Sequence, residues 1–285
     1  MNSRSLLSRG RLLTQRNLST SRVICGSKTD SSSHASPSGI FSSLLHGSEQ
    51  AKAEGETEIH QHSRLIGRNK YVHELVSHAV KPDCREQYRT AAEEYFAGLA
   101  KDPSLKVKLT GSWETLIGPV DNFVHILEYE NYDGYDDVMR KLQTHPTLPG
   151  ILNKQILPAV QSRHSQLMSE FAFWPSSPPR QNGGIYELRS YQLIPGRLLE
   201  WEHAWKRGLE ARKRFVQPAG GWFSQVGTLH EVHHLWQYPN LAERKLTREQ
   251  AWNVSGWSNT VQETVKLAQS MKCSILLPCA WSTLK

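Results

Sequence analysis

From about residue 70 onward, the order of apolar and polar residues predicts two similar series of strands and helices. Residues 72–80 and 185–193 are short apolar stretches that end just before a proline, and each predicts a strand. After each proline, apolar residues recur every three or four positions, which predicts an amphipathic helix. These positions are Cys84, Tyr88, Ala92, Tyr95 and Leu99 in the first series, and Leu198, Trp201, Trp205 and Leu209 in the second.

Each series continues with two strands, a helix and a closing strand. The predicted middle strands are residues 106–117 and 123–130 in the first series, and 222–226 and 232–238 in the second. Alternation with a period of two places Phe123, His125, Leu127 and Tyr129 on one face. The closing strands are predicted at residues 169–174 and 273–277, with residues 175–184 as a linker between the two series. Each series therefore predicts a βαββαβ unit.

The two units are related by an internal repeat. Residues 72–82 overlay residues 185–195 at a shift of 113, and residues 111–131 overlay residues 220–240 at a shift of 109. The repeated pairs include Glu74 and Glu187, Trp113 and Trp222, His125 and His234, and Tyr129 and Tyr238. We therefore predict an α+β protein in which two ferredoxin-like units, residues 70–175 and 184–285, pack sheet to sheet within one chain.

Composition limits the classes of protein that the chain can represent. It has 285 residues, of which 38% are hydrophobic, with nine Trp and nine Tyr, so it can form a substantial core. No apolar run is long enough to span a bilayer, which argues against an integral membrane protein. The net charge of +7 arises mostly from six basic residues within positions 1–29, so the remaining sequence does not predict a nucleic-acid-binding surface.

The N-terminal residues predict a targeting segment. Residues 1–26 are rich in Arg, Ser and Leu and contain no acidic residue, which is typical of a mitochondrial presequence. Residues 27–69 are rich in Ser, Gly, His and Glu without sustained periodicity, and predict a flexible arm. We therefore expect a mitochondrial protein, in the matrix, with two folded units after residue 69.

One segment matches a metal-site pattern. Residues 230–234 read H-E-V-H-H, which satisfies the H-E-x-x-H pattern of zinc proteases. That chemistry needs a helix, whereas this segment overlays the strand that contains His125. On a strand, His230 and His234 would be separated by roughly 13 Å. We therefore predict no metal site.

The repeated His and Glu residues allow more than one interpretation. His125 and His234 could be paired ligands or bases at a pseudo-symmetric site, but half-buried strand positions with one bonded nitrogen are the favoured reading. Glu74 and Glu187 could be bases with raised pKa values, or could pair with a basic neighbour such as Arg189 or Arg212. Neither a phosphate-binding loop nor a nucleophile elbow is present in the sequence. We therefore predict no catalytic or cofactor-binding residue.

Long Trp-rich segments of the second unit resemble the NipSnap family of mitochondrial proteins. These segments are F-A-F-W-P at 171–175, G-I-Y-E-L-R-S-Y at 184–191, G-G-W-F-S-Q-V-G at 220–227, H-H-L-W at 233–236, and the tryptophans Trp201, Trp205, Trp252 and Trp257. The resemblance covers about residues 70–285 and is strongest in the second unit. It implies two dimeric α+β barrel domains, a mitochondrial location and no established enzymatic activity.

The resemblance also implies partners. Family members are matrix proteins that become exposed on the surface of damaged mitochondria, where they recruit autophagy receptors and ubiquitin-like autophagy modifiers. Such modifiers bind an aromatic-x-x-aliphatic peptide as an added strand. Phe41 and Leu44 have this spacing in the arm, and Trp281 and Leu284 have it near the C-terminus. We predict Phe41 and Leu44 as the partner-binding residues, in a scaffold that is compatible with a homo- or hetero-oligomer.

The alternative function is that of a small-molecule enzyme. Barrels of the dimeric α+β type host cofactor-free monooxygenases and haem proteins, which use the space between sheet and helices. This alternative rests on analogy of fold. A cavity that held His125 or His234 beside Glu74 or Glu187 would favour it, and an interior filled by aromatic residues would disfavour it.

Overall fold

The first half of the fold follows the predicted order of strands and helices. In the computed structural model, which describes residues 70–285, strand β1 is followed by a 3₁₀ turn at Pro82–Cys84 and helix α1, and the chain between α3 and α4 forms one π-helical turn at Leu152–Ile156. The bounds are β1 Val72–Val80, α1 Arg85–Lys101, β2 Lys108–Ile117, β3 Asn122–Tyr129, α2 Tyr132–Thr144, α3 Leu148–Ile151, α4 Leu157–Ala159 and β4 Val160–Glu170.

The second half repeats this order with fewer interruptions. Its elements are β5 Ile185–Leu193, α5 Leu198–Lys213, β6 Gln217–Val226, β7 Glu231–Tyr238, α6 Leu241–Trp252, α7 Trp257–Lys266 and β8 Ala268–Pro278. Asn131 and Asn240, which are repeat partners, both cap the helix that follows them by accepting a hydrogen bond from a backbone N–H three residues on. Within residues 70–285, no helix combines the length and the apolar character needed to cross a lipid bilayer.

The eight strands form one closed barrel in the order β1-β3-β2-β8-β5-β7-β6-β4. All pairings are antiparallel, and the two halves are joined where β2 pairs with β8 and where β4 pairs with β6. The predicted packing of two separate sheets is therefore incomplete. The inner faces do meet across a shared interior, but the edge strands also hydrogen-bond between halves, because pairing removes the exposed edges that two open sheets would retain.

Apolar side chains form three clusters, one inside the barrel and two outside it. The inner face carries a cluster from both halves, which includes Leu75, Trp113, Leu188 and Trp222. Two further clusters lie outside the barrel, one under the helices of each half. Phe123, His125, Leu127 and Tyr129 share the helix-covered face of β3, as the two-residue period predicts.

Two repeated Gly-x-Trp sequences explain how a large ring fits inside each half. The sheet register shifts next to Gly111 on β2 and next to Gly220 on β6. A Cβ at Gly111 would lie 2.3 Å from the Trp113 ring, and a Cβ at Gly220 would lie 2.4 Å from the Trp222 ring. Glycine is therefore needed at both positions so that each indole can lie back over its own strand.

The predicted closing strand of the first half is wrong. The strand spans Val160–Glu170 and not residues 169–174. The apolar residues Phe171 and Trp174 lie beyond its end and pack in the core of the second half. The pattern was misleading because residues 161–165 of β4 are exposed and polar, so this part of the strand has no apolar alternation. The closing strand of the second half, Ala268–Pro278, is longer than the predicted 273–277 for the same reason.

Candidate functional site

The first half contains a cavity of about 560 Å³ between the outer face of its strands and its helices. Strand alternation places Glu74, Val76 and His78 of β1 on this face. The remaining wall is largely apolar and aromatic. It includes Tyr95, Leu99, Leu127, Tyr129, Tyr135, Met139, Leu142 and Leu152. Arg163 and Ser165 of β4 also line the cavity.

Glu74 is a buried carboxylate in the wall of this cavity. Only 8% of the residue is exposed. The Tyr129 hydroxyl donates a hydrogen bond to one carboxylate oxygen at 2.7 Å, and the Ser165 hydroxyl donates to the other. Burial, together with the charge of Glu74, raises the pKa of Tyr129 well above its ordinary value. Among residues 70–285, no Lys, Arg or His forms an ion pair with Glu74.

A chain of hydrogen bonds leads from the cavity to His125. His78 Nδ1 lies 2.7 Å from the Tyr88 hydroxyl, which lies 2.9 Å from His125 Nε2. His125 Nδ1 is 2.8 Å from the Ser112 hydroxyl, so both of its ring nitrogens are bonded. Burial lowers the pKa of His78 to about 4, and complete burial with a contribution from His78 holds the pKa of His125 well below its usual value. Both rings are therefore kept neutral.

In the second half, the equivalent carboxylate is surrounded by cations. Glu187 Oε1 lies 2.8 Å from Arg189, 2.7 Å from Arg244 and 3.9 Å from Arg248, and the Cys273 thiol donates to it at 3.1 Å. Burial alone would raise the pKa of Glu187. The hydrogen bond from Arg244 and the charges of Arg189 and Arg244 outweigh that effect and lower the pKa strongly. The predicted pairing with Arg189 is confirmed, whereas Arg212 donates to the Tyr238 hydroxyl at 2.5 Å.

Indole rings fill the space between sheet and helices in the second half. The His234 ring lies between the rings of Trp174, Trp201, Trp205 and Trp236, with centroid distances from 4.9 to 6.4 Å. His234 Nδ1 accepts a hydrogen bond from Trp236 Nε1 at 2.7 Å. A remaining cavity of about 90 Å³ lies near Arg189, Trp205 and Arg212. The space between sheet and helices is therefore an open cavity in the first half, whereas indole rings fill it in the second half.

A second large cavity, of about 670 Å³, opens into the barrel interior. Its polar wall contains a network centred on Gln166. The Gln166 side chain bonds His233 Nε2 at 2.7 Å and donates to Glu231 at 3.1 Å, and His233 Nδ1 is 2.8 Å from the Ser190 hydroxyl. Burial opposes ionisation of Glu231, but the hydrogen bond and charge of His233 prevail, so the pKa of Glu231 is lowered. The polar side chains of this network therefore form their hydrogen bonds with one another.

The H-E-V-H-H segment does not gather its histidines. The predicted strand is confirmed, since β7 begins at Glu231. His230 lies in the exposed hairpin turn with a φ of 58°, His233 faces the interior cavity, and His234 lies on the opposite, helix-covered face. Among residues 70–285, no group of three or more His, Cys, Asp or Glu residues has a geometry suited to a metal ion.

The remaining residues singled out in the sequence are either at least partly buried or outside the described part of the chain. His125 and His234 are fully buried, not half-buried, and neither lines the cavity of about 560 Å³ or the cavity of about 670 Å³. Trp281 is partly buried and Leu284 completely so, which makes the C-terminal motif part of the core in place of an accessible peptide. Phe41 and Leu44, like the predicted presequence and arm, lie outside the described residues.

The sequence interpretation missed three contributors to these sites: His78, Arg244 and His233. His78 follows Glu74 by four residues on the same face of a strand, and this spacing could have identified it. Arg244 is on α6, distant in sequence from Glu187, and no local pattern relates the two residues. His233 occupies a variable position of the H-E-x-x-H pattern, so the pattern did not single it out.

The repeated units, the closed barrel and the cavity under the helices define a duplicated mixed α/β barrel protein. The family model described as NIPSNAP matches residues 73–175 and 186–283. This chain belongs to the NipSnap family.

Relatives match over most of their length. Protein NipSnap homolog 2 of Homo sapiens is 37% identical over 227 residues, which cover 79% of each chain. Protein NipSnap homolog 2 of Danio rerio is 36% identical over 242 residues, covering 82% of each chain. Protein NipSnap of Drosophila melanogaster is 34% identical over 223 residues, 78% of this chain and 81% of the relative.

Two solved structures share the fold at low sequence identity. A protein from Lactobacillus acidophilus, provisionally named a monooxygenase, is 11% identical with a TM-score of 0.56, over 74% of this chain and 95% of its own. An anthrone oxidase-like protein is 10% identical with a TM-score of 0.54, over 74% of this chain and 92% of its own. At this identity the likeness concerns the fold alone.

Proposed function

We propose that this NipSnap protein is a non-enzymatic scaffold of mitochondrial quality control, which marks damaged mitochondria by recruiting autophagy receptors or ubiquitin-like modifiers. The observation that carries the proposal is the state of three of the residues that recur in both halves. His125 has both nitrogens bonded, His234 is enclosed by indole rings, and Glu187 is held by arginines. Groups buried and held in this way stabilise a fold and are closed off from a substrate.

The proposed location rests on residues 1–26. Their basic, acid-free composition suits import into the matrix. We expect proximity labelling with the full chain to mark matrix proteins in intact mitochondria, and autophagy receptors or modifiers after depolarisation. A chain without residues 1–26 is the control: it should not label matrix proteins, and its neighbours should not change on depolarisation. Identical neighbours before and after depolarisation would contradict the quality-control role.

The proposed partner contact is made by Phe41 and Leu44. Replacing both with Ala should abolish binding of the full chain to a ubiquitin-like autophagy modifier, because such peptides place an aromatic and an aliphatic side chain in two pockets. The control exchanges Ile40 and Leu45 for Ala, which removes similar apolar surface without altering the aromatic-x-x-aliphatic pair. Equal affinity of both double variants would remove Phe41 and Leu44 from the proposal.

A second candidate function is that of a small-molecule enzyme of the dimeric α+β barrel type, either a cofactor-free monooxygenase or a haem-binding protein. The cavity of the first half favours it, since the cavity holds Glu74 and His78 in a largely apolar wall. A Soret band in the purified protein would support haem binding. Oxygen consumption with an aromatic substrate, lost in Glu74→Gln, would support the monooxygenase.

We also propose that each half is a ferredoxin-like unit. The element order βαββαβ and the strand order β4-β1-β3-β2, repeated as β8-β5-β7-β6, support this assignment. An experimental structure in which the two halves superimpose on each other over all four strands and the helices would test it.

A further inference from the structure

The two repeated glutamates differ in how their charge is balanced. Glu74 and Glu187 occupy the same place in their halves, since Glu74 is paired with Leu127 of β3 and Glu187 with Trp236 of β7. Both are buried, with 8% and 0% of the residue exposed. Glu187 has guanidinium groups around it, but Glu74 accepts hydrogen bonds only from hydroxyls, as far as residues 70–285 are concerned. A buried carboxylate without a counter-charge is costly for a fold.

The positions that supply the cations in the second half line the cavity in the first. Carried on through α1 and α2, the shifts of 113 and 109 match each arginine near Glu187 with an uncharged residue of the cavity wall. The pairs are Arg189 with Val76, Arg212 with Leu99, Arg244 with Tyr135, and Arg248 with Met139. The cavity therefore occupies the volume that guanidinium groups fill in the other half.

The donors to the two carboxylates also correspond. Ser165 on β4 and Cys273 on β8 hold equivalent positions in the sheet, and each donates to its glutamate. This match supports the overlay from a part of the chain where the sequence repeat is not evident. Each carboxylate thus has a hydrogen-bond donor at the same place on the neighbouring strand. The arginines beside the carboxylate are found in the second half only.

Aromatic rings surround the carboxylate in the first half. Tyr95, Tyr129 and Tyr135 line the cavity, and the rings of Tyr129 and Tyr135 meet edge to face with centroids 5.0 Å apart. Tyrosine rings beside a carboxylate attract a cation by both the ring quadrupole and the full charge. Leu99, Met139, Leu142 and Leu152 continue the wall as apolar surface.

We propose that the cavity of the first half binds an amphiphile with a positively charged amine head, which lies against Glu74 while its apolar part contacts the leucines and Met139. The ligand supplies the positive charge that Arg189 and Arg244 supply in the second half. Arg163 also lines the cavity, but it is exposed and is paired with His78, four residues along β1 from Glu74, a separation of roughly 13 Å. Its guanidinium forms no ion pair with Glu74, although its charge and that of Glu74 both act on Tyr95 in the cavity wall. This inference goes beyond the scaffold function and does not depend on it.

The test is isothermal titration of the full chain with octyltrimethylammonium, and with octanol as the neutral analogue of equal chain length. We expect the ammonium compound to bind at least about tenfold more tightly than octanol, because the ring contacts and the buried carboxylate act on its charge alone. The anionic octyl sulfate should bind more weakly than either. Equal affinities for the three compounds would overturn the proposal.

Two variants locate the site. Glu74→Gln keeps the shape and an acceptor for Tyr129 but removes the charge, and should abolish the preference for the ammonium compound while octanol binding remains. Tyr135→Arg introduces the cation found at Arg244, at a partly buried position of α2, and should also abolish that preference. Glu249→Gln, at an exposed position of α6, removes one negative charge far from β1 and should retain it.

The outcomes separate this inference from the others. A preference retained in both Glu74→Gln and Tyr135→Arg, with folding verified by circular dichroism, would contradict the assigned site. Loss of the preference in these variants with unchanged modifier binding would support the cavity ligand and leave the scaffold role intact.

Discussion

At the scale of single residues, the two halves carry the same glutamate in opposite surroundings. Glu187 is tied to three arginines and a thiol, whereas Glu74 is bound by two hydroxyls. Removing one partner from a buried charge cluster leaves the other charges uncompensated, which costs more than removing an acceptor of neutral hydrogen bonds. The contribution of this residue to stability should therefore differ between the halves.

Glu187→Gln should lower the free energy of unfolding by about 3 kcal/mol, and Glu74→Gln by less than about 1 kcal/mol. The first change leaves guanidinium groups in a buried site without their anion, while the second relieves an unbalanced charge. Urea denaturation of both variants beside the parent chain measures the difference. Losses of equal size would show that the arginines do not depend on Glu187.

Buried neutral histidines should make stability sensitive to mild acid. Burial lowers the pKa of His78 to about 4, and the pKa values of His125 and His234 are also held well below the usual range. As the pH falls below about 6.5, the unfolded chain binds protons that the folded chain excludes, so the free energy of unfolding decreases toward pH 5. Each histidine contributes at most about 1.4 kcal/mol per pH unit.

Urea titrations at pH 7, 6 and 5 test this dependence. His78→Asn should make the loss of stability shallower, since Asn can still bond to Tyr88 but does not titrate. His203→Asn, at an exposed position of α5, is the control and should leave the slope unchanged. The same slope in His78→Asn and the parent would remove His78 from this account.

At the scale of strands and helices, apolar periodicity predicted most elements where one face is buried. The bounds of β1 and β5 coincide with those expected from the sequence, and β3 differs by one residue at each end. β4 was misplaced because half of its length is polar and exposed, and because Phe171 and Trp174 imitate a strand while serving the core of the other half. Apolar periodicity reflects which residues of a strand are buried. In β4 residues 161–165 are exposed and the last residues are buried, so the periodicity does not extend along the whole strand.

The Gly-x-Trp sequences of β2 and β6 should tolerate no side chain at the glycine. Gly111→Ala and Gly220→Ala should each cost about 2 kcal/mol, because the new methyl group would overlap the adjacent indole. Gly150→Ala, in helix α3, meets no atom within 4 Å and should be neutral or slightly stabilising. Thermal unfolding of the three variants makes the comparison, and equal midpoints would mean that the indoles can move aside.

At the scale of the whole molecule, repeat matching predicted two similar units but not their closure. The pairings β2 with β8 and β4 with β6 join residues more than fifty positions apart, and no local pattern encodes them. The cavity was equally hidden. Its existence depends on which residues stand at the positions of the arginines, and only the contacts of Glu187 show that those arginines gather around one carboxylate.

Residues 171–285, which include Phe171 and Trp174 of the second core, should form a homodimer when produced alone. The isolated half would expose the edges of β6 and β8 and an inner face that includes Leu188 and Trp222. Two copies can rebuild the barrel by pairing β6 of each copy with β8 of the other. In the full chain, β4 and β2 of the first half make the equivalent pairings with β6 and β8. Analytical ultracentrifugation measures the mass, and Trp222→Lys should weaken the association. A stable monomer would show that the half does not need its partner sheet.

The fusion of two units in one polypeptide also has an evolutionary consequence. In an assembly of two identical subunits, a mutation in one gene alters both copies of every cavity at once. Here each copy can change separately, so one could gain tryptophans and arginines that make it rigid while the other kept an open space. A site of this kind exists once per polypeptide, so its occupancy should follow a simple hyperbola, with no cooperativity arising from a twin site.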